Sequence, residues 1–286
     1  MIYSKRHNKF LFPALAGAIY GSFCKAENEI SNVVNYSNII QRGGDSMYQY
    51  KLTFTLLNNQ LPREMDRLIV SFLKSSAQVY SQHFYEELYD KSRSVIKGYT
   101  YSCYLPGAKF HQDRIELAGE EFSLLFSDFD QAELLSFFNG FQQMKYRDYP
   151  IAGNSMKLTS IRMQNLQEIR EEEIVIRMLS PLIVRRHDAE NNKDTYYTCE
   201  MDGFQEALKE NTAFFIDKMK LPVSAENFSI QTVKGRKVVV PVFGRNTDAS
   251  LGVFKLTGSV QLLNVLLLAG AGSRRSEGHG KFEVIG

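Results

Sequence analysis

The chain has 286 residues, 44% of them hydrophobic and 23% charged, which excludes a disordered polymer and suits two domains of ordinary size. Its 34 Lys and Arg nearly balance 32 Asp and Glu, leaving a net charge of +2, so bulk charge argues for no nucleic-acid partner and any such surface must come from where the cations sit. Cys24, Cys103 and Cys199 lie far apart without a CxxC spacing, which disfavours a disulfide framework or a zinc site and fits a reducing cytoplasm. No apolar run is long enough to span a bilayer; the longest, Leu262 to Ala269, is interrupted by Asn264.

Residues 1–46 read differently from the rest. Lys5, Arg6 and Lys9 precede a mixed apolar stretch from Phe10 to Cys24, the order of charge and grease in a secretory signal, but Pro13 breaks it and no cleavage site follows. Arg42-Gly43-Gly44-Asp45 lies just before Met47. The codons AGA GGA GGT GAT would encode these four residues and also spell a bacterial ribosome-binding site. The expectation is therefore that translation starts at Met47 and that 1–46 is an extension of doubtful authenticity, with a natural N-terminal arm as the alternative.

From Met47 the pattern is regular. Tyr48 to Leu57 alternates and is rich in Tyr, Thr and Phe, predicting a strand. Pro62 is expected to open a helix carrying Leu68, Ile69, Phe72, Leu73 and Ser76, with helical turns towards Tyr89. Lys97–Leu105 and Glu121–Ser127 read as strands, Gln131–Phe141 as a helix and Met156–Met163 as a closing strand. The order β-α-β-β-α-β is ferredoxin-like. The second half repeats it: a strand at Ile174–Val184 disturbed by Pro181, a helix at Met201–Met219, strands at Phe228–Val233, Lys237–Val242 and Leu251–Gly258, an apolar helix at Gln261–Leu268 and a last strand at Gly280–Ile285. The predicted fold is α+β, two tandem ferredoxin-like (RRM-like) domains at 47–168 and 169–286 with a C-terminal glycine-rich loop.

That loop reads Gly270-Ala271-Gly272-Ser273-Arg274-Arg275-Ser276-Glu277-Gly278-His279-Gly280-Lys281. Glycines permit positive φ and let backbone amides approach an anion, and Arg274, Arg275 and Lys281 add charge for phosphate. A plain structural turn is the alternative. The segment is neither a dinucleotide-binding fingerprint nor a P-loop, because it lies at the chain end and lacks Gly-Lys-Ser/Thr.

The tail resembles the C-terminal motif of the CRISPR-associated endoribonucleases called Cas six, within the repeat-associated superfamily of RNA-binding proteins: two glycine pairs flanking a basic stretch, then a hydrophobic strand. Ala271 and His279 fill the positions between glycines, His279 standing where an aromatic is usual. Lys97-Gly98-Tyr99-Thr100-Tyr101-Ser102, Leu179-Ser180-Pro181-Leu182-Ile183-Val184-Arg185 and Gly252-Val253-Phe254-Lys255-Leu256-Thr257-Gly258 resemble three further family segments in matching order. The resemblance covers Met47 to Gly286.

It implies cleavage of a CRISPR repeat RNA without metal or other cofactor. The 2′-hydroxyl would attack the adjacent phosphate, leaving a 2′,3′-cyclic phosphate (or 3′-phosphate) and a 5′-hydroxyl. Such chemistry needs proton transfer and positive charge on the phosphorane. The family usually places a His ahead of the aromatic strand, and His83 is the first candidate, since imidazole exchanges protons near neutrality; its alternative is a surface histidine bonded to Glu86 or Glu87. Tyr89 is the second candidate or a core aromatic. Six residues apart, the two do not share a face of one straight helix. Lys97 is expected to stabilise the phosphorane or to be a solvated strand-end lysine, with Lys91 and Arg93 as substitutes. Gly270, Gly272, Arg274, Arg275, Ser276, Gly278, Gly280 and Lys281, together with Arg185 and Arg186, are the expected RNA-binding residues. His111 and His187 are read as exposed or RNA-contacting rather than catalytic. Expected partners are precursor and mature repeat RNA, other proteins of a CRISPR effector complex and a second copy of the chain, with no membrane. The competing reading is an inactive RNA-binding subunit of a CRISPR complex.

Overall fold

Alternation of apolar and polar residues after Met47 places Tyr50, Leu52, Phe54 and Leu56 on one face of a strand, and all four are buried. The computed structural model of the chain describes residues 47–90, 92 and 95–286; the expectations placed on 1–46, Cys24, Lys91 and Arg93 lie outside the described residues. The first half runs β1 (Met47–Leu56), β2 (Gln60–Pro62), α1 (Met65–Tyr80), α2 (Gln82–Tyr89), β3 (Tyr99–Tyr104), β4 (Lys109–Phe110), β5 (Arg114–Glu116), β6 (Glu121–Asp128), α3 (Gln131–Met144), β7 (Asp148–Ile151) and β8 (Asn154–Leu166). The second runs β9 (Glu173–Met178), β10 (Val184–Asp188), β11 (Lys193–Tyr197), α4 (Phe204–Met219), β12 (Ser229–Val242), β13 (Arg245–Thr257), α5 (Val260–Ala269) and β14 (Phe282–Val284).

The first sheet has the order β3-β6-β1-β8-β7 and the second β12-β13-β9-β14. Without the β7 edge, both follow the ferredoxin-like order, with every pairing antiparallel. The two halves are therefore tandem ferredoxin-like folds. Helices α1 and α3 cover one face of the first sheet, and the aromatic core there includes Phe54 stacked on Phe122 at 4.9 Å and Phe126 edge-on to Phe137 at 4.9 Å.

Several local expectations change. Pro62 does not open a helix but ends β2, which pairs with β5, and α1 starts at Met65. The predicted long helix breaks at Ser81, whose backbone is extended (φ −159°, ψ 130°) and whose hydroxyl caps the Phe84 amide to start α2. His83 and Tyr89 thus share one helix after the break. The strands expected at 228–233 and 237–242 form one long strand, β12, bulged between Thr232 and Lys234 and paired along its length with β13. The strand expected over 174–184 ends at Met178; Pro181 separates it from β10, which forms a polar hairpin with β11.

Candidate nucleic-acid interface

The glycine-rich segment leaves α5 at Gly270 and threads the seam between the two sheets. Ser127 on β6 donates to the Leu268 carbonyl at 2.7 Å, and the Thr100 hydroxyl on β3 donates to the carbonyls of Arg275 and His279 at 3.3 and 3.2 Å. All four glycines have positive φ. Their amides mostly stay inside the protein: Gly270, Gly278 and Gly280 donate to the carbonyls of Leu266, Arg275 and Pro181. This corrects the expectation that these amides are presented to phosphate. The glycines serve close packing instead. A β-carbon at Gly280 would collide with the Ala271 carbonyl, and one at Gly278 with the Tyr101 ring.

Two expected RNA-binding cations are also corrected. Lys281 is 1% exposed; its ammonium donates to Ser127 Oγ at 2.6 Å, and burial pulls its pKa down to about 7. Arg275 is 7% exposed, its guanidinium lies 3.5 Å over the Phe215 ring, and burial lowers its pKa to about 9. His279 is buried, and burial pushes its pKa down to about 4 against the opposing pull of the Pro181 backbone. It packs as a neutral ring where the family resemblance expects an aromatic.

The remaining expected cations converge. A cleft of about 690 Å³ is lined by Lys97, by Arg185, Arg186 and His187 on β10, by Glu210, Asn211, Phe214 and Phe215 on α4, and by Gly272 to Glu277 of the tail, Ser276 included. That volume is typical of ligand clefts. Arg274 adopts left-handed backbone (φ 59°) and its guanidinium pairs with Glu277 at 3.1 Å. Arg186 makes a bidentate pair with Glu210 at 2.7 and 2.8 Å and stacks on Tyr197. Arg185 pairs with Asp194 at 3.2 Å, and Asn211 bonds the Arg185 amide and carbonyl, tying α4 to β10.

Lys97 sits before β3, half-buried, its ammonium 5.2 Å from the centre of the Tyr89 ring and bonded to the Val95 carbonyl at 3.3 Å. Burial and then the charge of Lys74 lower its pKa, against opposing pulls from Glu277 and Glu133. The Tyr89 hydroxyl bonds that of Tyr99 at 2.8 Å, and burial pushes its pKa up. His83 does not join this site. Its side chain is 74% exposed and pairs with Glu87 at 3.3 Å, one turn along the outer face of α2. His111 pairs with Glu116 at 3.4 Å and does not line the cleft. Near Lys97 and Tyr89 lie the buried carboxyls of Asp128 and Glu133, and burial, followed for each by a neighbouring carboxylate, raises both pKa values.

Sequence reading missed Phe214 and Phe215. The doublet is visible in the sequence, but only the structure shows Phe215 beneath Arg275 and Phe214 exposed in the cleft. Among the described residues, no three His, Cys, Asp or Glu side chains converge as a metal-binding group, and no helix is long and apolar enough to cross a membrane.

Two ferredoxin-like folds with a glycine-rich segment wedged at their seam and a cation-lined cleft beside it define the class of this protein. Residues 164–284, most of the second half, match the family described as CRISPR associated protein Cas6, C-terminal. Among solved structures it is similar to the product of a Cas6-related gene from Pyrococcus furiosus, with a TM-score of 0.72 and 19% identity over 84% of this chain and 99% of that one. It is also similar to a RAMP protein described as binding different RNA substrates (TM-score 0.71, 19% identity, 84% and 100% covered) and to a Cas6 protein in a product complex (TM-score 0.63, 14% identity, 84% and 100% covered). At these identities the likeness establishes the fold. No curated protein matches the chain in sequence.

Proposed function

We infer that the chain binds CRISPR repeat RNA and takes part in its processing, with the cleft as its RNA groove. The family match over residues 164–284 and the fold shared with RNA-binding relatives support the inference. One observation carries the placement: Lys97 from the first half, Arg186 from β10 and Arg274 from the tail line one cleft though they are distant in sequence. Such convergence of cations suits a phosphate backbone.

The finer reading is a metal-independent endoribonuclease. The 2′-oxygen forms a bond to phosphorus as the bond to the 5′-oxygen breaks, giving a 2′,3′-cyclic phosphate and a 5′-hydroxyl. Lys97 opposes the charge that builds on the phosphorane. Tyr89 is a positioning residue: its ring carries the Lys97 ammonium while Tyr99 holds its hydroxyl. His83 lies outside the machinery. The test is incubation with the repeat RNA of the same locus in excess EDTA, with product ends mapped. Cleavage with these ends is expected. Activity that chelation abolishes and magnesium or manganese restores would overturn the mechanism.

A second reading, an inactive RNA-binding subunit, is favoured by one feature: the tyrosine beside Lys97 is locked to Tyr99 with a raised pKa and is a weak proton donor. Tight binding of repeat RNA that stays intact would establish it.

A further inference from the structure

An acceptor for the proton of the 2′-hydroxyl is what the Lys97–Tyr89 pair supplies least well, and the same cleft carries a group suited to that role. His187 lies on β10 directly across from Asp194 on β11, and its Nδ1 is 2.9 Å from the Asp194 carboxylate. Cross-strand neighbours on one face are held at a set spacing by the ladder itself. Arg185 bonds the other oxygen of that carboxylate at 3.2 Å, so Asp194 is fixed from two sides. His187 and Arg185 also sit two residues apart on the strand, on a shared face.

A carboxylate accepts hydrogen bonds and does not donate them, so the His187 Nδ1 facing Asp194 carries the hydrogen. Its Nε2 then keeps a lone pair. The side chain is about half exposed and lines the same cleft as Lys97. An imidazole oriented through one nitrogen by a carboxylate, with the other nitrogen free in a cleft, is the arrangement that general bases use.

We propose that His187 is the general base of the RNA cleavage reaction and Asp194 its positioning residue. The proposal rests on the cleft being the RNA groove. His187 Nε2 takes the proton of the attacking 2′-hydroxyl as the 2′-oxygen bonds phosphorus. The bond to the 5′-oxygen breaks, and the Lys97 ammonium gives that oxygen its proton. Proton exchange with water then restores the imidazole and the ammonium. The charged groups around His187 are Asp194 on β11 and Asp188, Arg185 and Arg186 on its own strand, with Glu210 on α4 and Lys97, Arg274 and Glu277 also lining the cleft.

The experiment compares single-turnover cleavage of repeat RNA in EDTA by the full chain, His187→Ala, His187→Gln and Asp194→Asn, with melting and RNA affinity measured alongside. His187→Ala and His187→Gln should melt and bind RNA as the wild type does, while the cleavage rate falls roughly 10²- to 10⁴-fold. Added imidazole should restore part of the His187→Ala rate, and the ionisation that controls the wild-type pH–rate profile should vanish in both histidine variants. Asp194→Asn should lose less, since its amide oxygen can still accept from Nδ1. Wild-type cleavage together with a His187→Ala rate within about twofold of it would overturn the assignment and leave the RNA groove standing. A wild type that binds repeat RNA without cutting it would overturn the assignment and the nuclease reading, and one that does not bind it would overturn the groove as well.

Discussion

The tail carries basic residues into two opposite environments. Arg274 stands in the cleft, half-buried and paired with Glu277, where an arriving phosphate can compete for it. Lys281 lies in the seam with its ammonium bonded to the Ser127 hydroxyl, and burial makes that charge costly there. Sequence presents the two as one basic, glycine-flanked motif. The difference is desolvation: the glycines let the chain turn so tightly that one arm faces the cleft and the other is pressed between two sheets. A family motif with cations in it is thus partly a binding wall and partly a structural wedge.

The sharpest way to break this comparison is at the wedge. Gly280 has φ +74° and its backbone lies against the Ala271 carbonyl, while the Ala271 amide donates to the Gly280 carbonyl at 2.9 Å. Neither the dihedral nor the space admits a side chain. Gly280→Ala is expected to cost at least about 4 kcal/mol, in the range that marks steric disruption of a core. Thermal or urea unfolding measures it, and a variant that melts with the wild type would show that the seam is loosely packed.

Lys281→Met should act in the other direction. The folded pKa is near 7 and the ordinary value 10.5. Between them the unfolded chain holds a proton that the folded chain releases, so stability rises with pH across that window, and the burial cost is fully present below it. Methionine removes the charge and keeps much of the length. The variant should be more stable by roughly 2–4 kcal/mol at pH 6, with the gain shrinking towards pH 10.5. Equal gain at every pH would mean that Lys281 titrates alike in the folded and unfolded chain, so that burial does not depress its pKa. Its RNA affinity and salt dependence should match the wild type.

The two ferredoxin-like folds were legible in the sequence because their signals are local: alternation in β1 and β6, the apolar stripes of α1 and α3, and the turn at Pro106-Gly107. The β10–β11 hairpin was not, because Arg-Arg-His-Asp and Lys-Asp-Thr-Tyr-Tyr carry no apolar alternation. That omission hid the partner of His187, since Asp194 meets it only through strand register. Lys97, Arg186 and Arg274 were legible as cations near motif segments, and their convergence in one cleft required tertiary structure. The burial of Arg275 and Lys281 was not readable, because a basic letter says nothing of whether its ammonium or guanidinium is dry. Pro62 shows a local signal with two meanings: the fixed φ that suits a helix start also suits the end of a short strand.

At the cleft arm the expected effects are smaller. Arg274→Ala should weaken repeat-RNA binding and flatten the slope of log affinity against log salt by about 0.7, the value for one phosphate contact to single-stranded RNA. The fold should be unaffected, because Arg274 contributes only a partly exposed ion pair. Set beside Lys281→Met in one salt titration, it separates the two arms directly. Equal slopes in the two variants would mean that the tail's exposed arm touches no phosphate.

The smallest expected effect is at His83. Sequence resemblance makes it the first candidate for proton transfer, whereas the structure places it on the solvent face of α2, paired with Glu87 and outside the cleft. Ser81 decides this. By breaking the helix before His83 rather than between His83 and Tyr89, it leaves both residues on one short helix, where a six-residue separation turns them to different faces. Tyr89 takes the inward face beside Lys97 and His83 the outward one. Exposed substitutions away from packed features change stability by no more than about 0.5 kcal/mol, so His83→Ala should melt as the wild type does. It should also cleave within about twofold of it, far from the roughly 10²-fold or greater loss that removal of an acid or base produces. A large rate loss in His83→Ala with unchanged RNA affinity would mean that α2 rotates or unwinds when RNA binds, bringing the histidine to the phosphate and displacing the β10–β11 hairpin as the source of the proton-transfer group.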